Sequence, residues 1–253
     1  LRNQRVLRAQ ITLDGAQHTH DQLRVDARGR GSYERVISGI EAASGLLDID
    51  LRIHADRRTA RSIPHLLDDL ARRGLHHVAL TFARIEPPGV FGDRAPVDRR
   101  FLEGAEFAEL EVRWLTRARD LGFDVDQSVA TEQGPTPCMA VNPNHFTFEP
   151  GNHVQRCYAD VADDRRHDGR LDREGVVHLG PEDERWRRYL PFDLGCADCA
   201  YLPLCMGGCP KARVDGALHL SVDDGERLAF KDRYVCDARR FNLRDLLTEG
   251  LVR

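Results

Sequence analysis

The first 137 residues contain no cysteine, although the chain of 253 residues has seven. An odd number of cysteines confined to one half disfavours a complete disulfide framework, and a chain of this length can build a core without one. Lysine is also scarce, because only Lys211 and Lys231 occur among the 37 basic residues. An excess of arginine is typical of GC-rich coding DNA, which explains this bias more simply than phosphate binding across the surface.

Several classes of protein are excluded by what is missing. No apolar run approaches the roughly 18 residues of a membrane helix, and no signal peptide opens the chain. The net charge of −4 lacks the strong positive charge of a nucleic-acid-binding protein. Neither a Walker motif nor a G-x-G-x-x-G after a strand occurs. We therefore predict a globular cytoplasmic protein with reduced thiols and with neither a membrane nor a nucleic acid as partner.

The first half of the chain alternates strand and helix patterns. Strands are predicted over 6–13, 47–53 and 77–82, with a further one over 123–129. Helices are predicted to begin at caps Ser32 and Ser62 and to cover about 98–120. This alternation predicts an α/β fold with a parallel sheet. If the sheet is part of a barrel, reactive groups belong at the C-terminal strand ends, which carry Thr12, Asp14, His54 and Arg84.

The second half is built around cysteines. Four of them fall within 14 residues as Cys196-x2-Cys199-x5-Cys205-x3-Cys209, followed by proline. Close spacings of this kind place thiolates near enough to share a metal, and the glycines before Cys209 allow tight turns. We expect iron–sulfur ligation, with two zinc sites as the alternative.

The spacing also indicates how the thiols divide. In bacterial ferredoxins the last cysteine of a C-x3-C-P ending binds a different cluster, so Cys209 is expected to point away from its neighbours. Cys236 is then available as the fourth ligand of the first site. A hairpin predicted over 146–157 brings Cys157 back towards Cys138, and these two remain to join Cys209.

Together these motifs resemble the seven-cysteine SPASM domain of radical SAM maturases. Cys138-x12-Gly151-x5-Cys157, the four clustered cysteines and Cys236 carry the likeness, with five residues in place of the usual four before the second cysteine. The segments 10–15 (QITLDG) and 31–33 (GSY), with His20, Asp21 and Arg24 between them, look like the fourth strand and following loop of the radical SAM partial barrel.

The resemblance implies the C-terminal half of a partial (β/α)6 barrel over 1–130 and a SPASM domain with a β-hairpin and helices over 131–253. In that family S-adenosylmethionine on its own [4Fe–4S] cluster yields a 5′-deoxyadenosyl radical, which abstracts hydrogen from a peptide or protein side chain. Two auxiliary [4Fe–4S] clusters are implied here, and a flavodoxin or ferredoxin is the implied reductant. Their implied ligands are Cys138, Cys157 and Cys209 for the first, and Cys196, Cys199, Cys205 and Cys236 for the second.

Two departures from the family pattern qualify these expectations. The C-x3-C-x2-C of the SAM cluster is absent, so the chain is expected to be the C-terminal portion of a longer enzyme, with SAM and its cluster bound only alongside the missing part. Eight ligands serve two clusters, and seven cysteines leave either an open iron or a role for His145 or His153.

Other site residues follow from the same resemblance. Thr12, Asp14 and Arg24 match positions near SAM. Sulfatase maturases carry Asp directly after the second cysteine, where this chain has Tyr158, so modification of a ribosomal peptide is favoured. Tyr158 and Asp160 are the candidates for proton handling. A non-catalytic iron–sulfur or zinc module, an electron relay and a sulfatase-maturase-like protein remain the alternatives.

Overall fold

The protein is described here by a computed structural model that covers residues 6–86, 99–125, 138–161, 163, 166–214 and 224–252. These residues form two compact units. The first contains residues 6–85, 99–125 and 241–252, and the second contains residue 86 and the described residues of 138–240. All seven cysteines belong to the second unit.

The first unit is organised on a parallel sheet of three strands in the order β1-β2-β3. These are β1 (Arg8–Leu13), β2 (Asp48–Ala55) and β3 (Ala79–Arg84). In the central strand every second residue from Ile49 to Ala55 is buried, as the alternating sequence predicts. Leu13 pairs with Ile53, and Ala55 pairs with Arg84, so the C-terminal ends of the strands meet at one edge.

One or two helices follow each of these strands in the chain. They are α1 (Gln17–Leu23), α2 (Tyr33–Ala43), α3 (Ile63–Arg72) and α4 (Gly104–Asp120). In α3 the apolar residues spaced at i, i+3, i+4 and i+7 form one face of the helix, and all four, Ile63, Leu66, Leu67 and Leu70, are fully buried. Alternating parallel strands and helices confirm the predicted α/β class for this unit.

Three local expectations were wrong. Ser32 and Ser62 precede their helices, but neither hydroxyl caps one. Ser32 Oγ instead donates to the carbonyl oxygen of Arg24 at 2.9 Å, and Ser62 Oγ donates to that of Thr59 at 2.9 Å. The third helix begins at Gly104 and not near residue 98, because residues 99–103 form a turn and an extended segment.

The second unit contains short elements. Its antiparallel sheet has the order β4-β5-β6-β7, and the predicted hairpin is present as β4 with β5. The strands are β4 (Thr147–Phe148), β5 (His153–Gln155), β6 (Gly169–Leu171) and β7 (Val177–Leu179). The helices of this unit are α5 (Glu184–Arg187), α6 (Leu202–Cys205), α7 (Pro210–Val214) and α8 (Asp224–Phe230), followed by a π-helical turn (Lys231–Val235). The last helix, α9 (Arg239–Thr248), begins at the end of this unit, and its residues from 241 onward belong to the first unit.

Two further expectations concern the strand predicted over 123–129 and the absence of a membrane helix. The strand predicted over 123–129 has only its residues 123–125 within the described part of the chain, where Phe123 and Val125 are buried. None of the helices seen in the described ranges has the length and hydropathy that a membrane span requires.

The core of the first unit gives a stability prediction. Ile53→Ala removes a fully buried side chain from the central strand, so we expect a loss of about 2–5 kcal/mol in the free energy of unfolding. Leu46→Ala is the matched control, because Leu46 is 54% exposed and its loss should change the free energy by less than about 0.5 kcal/mol. Urea denaturation followed by circular dichroism measures both. Equal losses in the two variants would contradict this account of the core.

Candidate functional site

Four cysteines of the second unit line one cavity. Cys196, Cys199, Cys205 and Cys236 face a space of about 440 Å³, counting its part open to solvent. All four are free thiols. These are the residues that the sequence resemblance assigns to one auxiliary cluster, and the fold brings them together across 40 positions of sequence.

The cavity wall is shaped by a tight reversal of the chain. Cys205 ends α6, and the next three residues, Met206, Gly207 and Gly208, all have positive φ angles. Left-handed backbone of this kind favours glycine, which explains two of these three positions. The reversal separates Cys205, which lines the cavity, from Cys209, which packs beside Ala212 and Val235.

Three cations border the same cavity. Arg213 Nη2 lies 2.9 Å from Cys196 Sγ, and Lys231 Nζ lies 4.0 Å from that sulfur. Arg240 Nη1 lies 2.9 Å from Cys236 Sγ. Arg213 and Lys231 are buried, whereas Arg240 is half-buried. Two of the four sulfur atoms at this site, those of Cys196 and Cys236, therefore face positive charge.

Two of the four thiols are in surroundings that disfavour their ionisation. Burial raises the pKa of the Cys205 thiol. Burial also raises the pKa of Cys236, although the guanidinium of Arg240 acts in the opposite direction. Because thiolates bind metals and thiols do not, ligation at this site must release protons. The positive charges of Arg213, Lys231 and Arg240 would compensate for the negative charge of the resulting thiolates.

This set of side chains fits a cluster held by four thiolates. A [4Fe–4S] cluster takes four cysteine ligands, and hydrogen bonds to its sulfur atoms are a normal part of such sites. Cys196, Cys199, Cys205 and Cys236 would supply the ligands, and Arg213 and Arg240 would donate to their sulfurs. In the described part of the chain, no group of three or more His, Cys, Asp or Glu side chains is placed to hold a metal ion.

The other three cysteines are neighbours in a second location. Cys138 and Cys157 pack against the same buried residues, among them Trp186. Burial raises the pKa of Cys157 to about 11, with the nearby Cys209 adding to the effect. Burial likewise raises the pKa of Cys209, and Cys138 contributes to that shift. Cys209 thus acts electrostatically on Cys157, and Cys138 acts on Cys209. The division of the seven cysteines into two ligand sets stays a prediction.

A buried ion pair links the segments that carry two of these thiols. Lys211 Nζ donates to Asp160 Oδ1, and Arg185 Nη2 donates to Asp160 Oδ2 at 3.0 Å. Asp160 is three residues after Cys157, and Lys211 is two residues after Cys209. The pair therefore fixes the approach of these two cysteines to each other.

The candidates for proton handling have contrasting surroundings. Tyr158 is 75% exposed, whereas Asp160 is 1% exposed and held by the two cations described above. A carboxylate locked between cations is suited to positioning more than to proton exchange. The proposed roles of Tyr158 and Asp160 in the reaction stay predictions.

His145 and His153 remain candidates for the eighth ligand. Both are half-buried, and the ring of His153 stacks on that of His167 with 3.7 Å between the ring centres. Stacking holds the His153 ring in one orientation. Whether either histidine completes the site of Cys138, Cys157 and Cys209 stays a prediction, as does an open iron there.

A polar cluster lies at the C-terminal strand ends of the first unit. Asp14 Oδ2 accepts from Arg24 Nε at 2.5 Å, and Asp14 Oδ1 lies 3.1 Å from His54 Nδ1. The backbone N–H of Asp14 donates to Nδ1 of the fully buried His20 at 3.1 Å. Thr12 lies two residues before Asp14 and pairs with Arg52 across the sheet. Two residues singled out from the sequence, the strand-end His54 and the loop residue Arg24, thus both contact Asp14.

Sequence reasoning missed the three cations of the cysteine cavity. Arg213, Lys231 and Arg240 follow no ligand motif, so their spacing carries no signal. One signal was nevertheless available in the composition. The only two lysines of the chain, Lys211 and Lys231, are both buried beside cysteines, where a random surface charge would not be.

Solved structures of anSMEcpe, an anaerobic sulfatase-maturating radical SAM enzyme, share the fold of this chain. The native form with bound AdoMet matches with a TM-score of 0.60 and 11% identity, over 98% of this chain and 69% of that chain. The native form with bound AdoMet and Cp18Cys peptide gives 0.60 and 13%, over 98% and 70%. The histidine-tagged form with bound AdoMet gives 0.62 and 12%, over 98% and 66%.

These similarities show a shared fold alone, since a sequence identity of 11–13% is too low to assign a shared activity. This chain spans about two thirds of the length of those structures. A scan against protein-family models finds no match, and a search of curated proteins finds none either.

The reversal after Cys205 gives a second stability prediction. Gly208 and Gly195 have φ angles of +79° and +73°, so alanine at either position is strained by about 1–2 kcal/mol. A Cβ on Gly208 would also lie 2.7 Å from the carbonyl oxygen of Val235, whereas a Cβ on Gly195 meets nothing within 4 Å. Gly208→Ala should therefore lower the free energy of unfolding more than its control, Gly195→Ala. Equal losses in urea denaturation would contradict the close approach.

The polar cluster of the first unit gives a pH prediction. Burial opposes ionisation of Asp14, but the hydrogen bonds from His54 and Arg24 outweigh it and hold the pKa of Asp14 below its usual 3.8. Asp14→Asn should lower the free energy of unfolding at pH 7 by about 1–3 kcal/mol. This contribution is present above the unfolded pKa and is lost as the pH falls through the folded one. The gap between wild type and variant, measured by urea denaturation, should shrink from pH 7 to pH 3, and a constant gap would contradict the assignment.

Proposed function

We propose that this chain is a portion of a radical SAM/SPASM enzyme that modifies a peptide or protein side chain. In this proposal the first unit contributes the C-terminal half of the partial barrel, and the second unit is a SPASM domain. The second unit holds two auxiliary [4Fe–4S] clusters. When bound with its own cluster, S-adenosylmethionine supplies the 5′-deoxyadenosyl radical for hydrogen abstraction.

The convergence of four thiols on one cationic cavity is the observation that carries the proposal. Buried thiols without a metal gain little from positive neighbours, and buried positive charge is costly without negative charge to match it. A cluster ligated by Cys196, Cys199, Cys205 and Cys236 satisfies both groups at once. The cavity occurs in a chain whose fold is shared with a radical SAM enzyme, and this supports its interpretation as the site of an auxiliary cluster.

The arrangement favours an iron–sulfur cluster over zinc. A tetrahedral zinc site with Zn–S bonds near 2.3 Å brings four thiolates within about 4 Å of one another. In a [4Fe–4S] cluster each thiolate binds a separate iron, so the ligands stand further apart around a larger space. The described residues place four thiols around a cavity of about 440 Å³, counting its part open to solvent, which suits the larger group.

The residues of the first unit have a proposed role towards S-adenosylmethionine. Asp14 is held as a carboxylate by Arg24 and His54, so these three side chains present oriented polar groups at the strand ends. Ligands of barrel folds bind at these ends. We assign Thr12, Asp14 and Arg24 to positioning the cosubstrate, with no proton transfer required of them.

A peptide substrate is supported by the neighbouring structures, two of which carry a bound peptide. Sulfatase maturation is the second candidate reaction because those structures belong to a sulfatase-maturating enzyme. Tyr158 stands where sulfatase maturases carry a carboxylate, and its phenol is a much weaker base near neutral pH. We therefore favour another peptide modification. A reductant such as flavodoxin or ferredoxin remains part of the proposal.

Metal analysis tests this proposal directly. After anaerobic reconstitution we expect about eight irons and eight sulfides per chain, as two [4Fe–4S] clusters require. Cys199→Ala and Cys157→Ala should each lose about half of the iron, because each removes a ligand from a different centre, and the double variant should lose nearly all. Iron, sulfide and zinc are measured on the same samples, with circular dichroism to verify folding.

The exposed Tyr158→Phe variant is the control, since it should retain all of the iron. Two zincs without sulfide would contradict the iron–sulfur proposal. Complete loss of iron in either single cysteine variant, with the fold retained, would contradict the division into two centres.

A further inference from the structure

Two of the cations at the cysteine cavity are more deeply buried than the carboxylates that pair with them. Arg213 and Lys231 are 8% and 4% exposed. The carboxylates nearest to the cations belong to Asp193 and Asp232, whose side chains are 42% and 38% exposed. Water screens exposed charges far more strongly than buried ones. The potential inside the cavity is therefore dominated by the cations, even though Asp232, and Asp237 on the cavity wall, oppose it.

The cations are also fixed in place by contacts other than those with sulfur. Arg213 Nε donates to the carbonyl oxygen of Gly207 at 2.6 Å, and Lys231 Nζ donates to that of Leu194 at 2.6 Å. Arg240 Nη1 donates to Asp232 Oδ1 at 2.5 Å. These bonds hold the positive charges against the thiols before any cluster is bound. The field at the site is thus preorganised.

We propose that Arg213, Lys231 and Arg240 raise the reduction potential of the iron–sulfur centre held by Cys196, Cys199, Cys205 and Cys236. The inference rests on the proposed function. One-electron reduction of such a centre adds one negative charge and changes no covalent ligand. Nearby cations and N–H···S hydrogen bonds stabilise the more negative state more strongly, so they make the centre easier to reduce.

Arg240 is the residue of choice for the test. Arg240 Nη1 lies 2.9 Å from Cys236 Sγ, and its side chain is 33% exposed, so Arg240→Gln removes a charge without opening the buried core. Arg173→Gln is the matched control, since it removes the same charge from the exposed turn between β6 and β7 in the same unit. Arg240→Lys keeps the positive charge but replaces the planar guanidinium and its N–H donors by an ammonium group. Lys231→Met removes the charge of a second cation at the cavity.

The measurement is the midpoint potential, followed by electron paramagnetic resonance in a redox titration of the reconstituted protein. The Cys157→Ala background removes the signal of the other centre. For Arg240→Gln we expect the ratio of reduced to oxidised centre at a fixed potential to fall at least tenfold, a shift of about 59 mV for one electron. Lys231→Met should also lower the midpoint potential. The midpoint potential of Arg240→Lys should lie closer to wild type than that of Arg240→Gln, and Arg173→Gln should leave the midpoint potential unchanged.

Iron and sulfide contents separate the inference from the proposed function. A wild-type midpoint in both Arg240→Gln and Lys231→Met, with iron retained, would overturn the inference alone. Loss of iron from Arg240→Gln, with the midpoint unchanged in Lys231→Met, would also overturn it, because the arginine would then be needed only for assembly. Absence of iron and sulfide from wild type would contradict the proposed function itself.

Discussion

Buried positive charge at the cysteine cavity is the constraint on which the second unit depends. Arg213 and Lys231 are almost completely removed from water, and isolated buried cations are costly. Their carboxylate partners lie nearer to the solvent, so those partners compensate only in part. Metal ligation requires the thiols that the cations contact to be thiolates, which carry negative charge. In the proposed function a thiolate-ligated cluster would complete the electrostatics of this unit, and the chain reversal after Cys205 separates the cavity-lining Cys205 from Cys209.

The same logic operates at the other cysteines and at the strand ends of the first unit. Asp160 and Lys211 form a buried pair that joins the segments of Cys157 and Cys209. Asp14 is kept charged by Arg24 and His54 at the edge where the parallel strands end. At each location opposite charges hold polar groups in a fixed geometry. Preorganisation of this kind is what a cofactor site requires, because bound groups are then met by oriented partners.

Regular elements with strong patterns could be predicted from the sequence. The strict alternation in β2 and the apolar face of α3 specify their structures, because burial repeats with the period of each element. Helix α1 (Gln17–Leu23) could not be found this way, since its polar sequence buries only His20. The serine caps failed because both hydroxyls bond to loop carbonyls instead. Strands β6 and β7 are three residues each, too short for any period to show.

The candidate site divides along similar lines. Ligand spacing is a local property, so the motif predicts the grouping of Cys196, Cys199 and Cys205. Cys236 was then the cysteine available as a fourth ligand, and the resemblance implied the same assignment. The cations depend on tertiary packing, because Arg213, Lys231 and Arg240 come from separate elements and meet only at the cavity. The contacts of Asp14 with Arg24 and His54 lie between these cases, since strand ends are predictable but side-chain directions are not.

The central claim is that the chain wraps two iron–sulfur centres with these two sets of thiols. Diffraction from crystals of the anaerobically reconstituted protein, recorded at the iron absorption edge, tests it most directly. The account predicts two compact peaks of anomalous density. One should be bounded by the sulfurs of Cys196, Cys199, Cys205 and Cys236, and the other by those of Cys138, Cys157 and Cys209. A single peak, a peak at the zinc edge instead, or disulfides among these cysteines would contradict it.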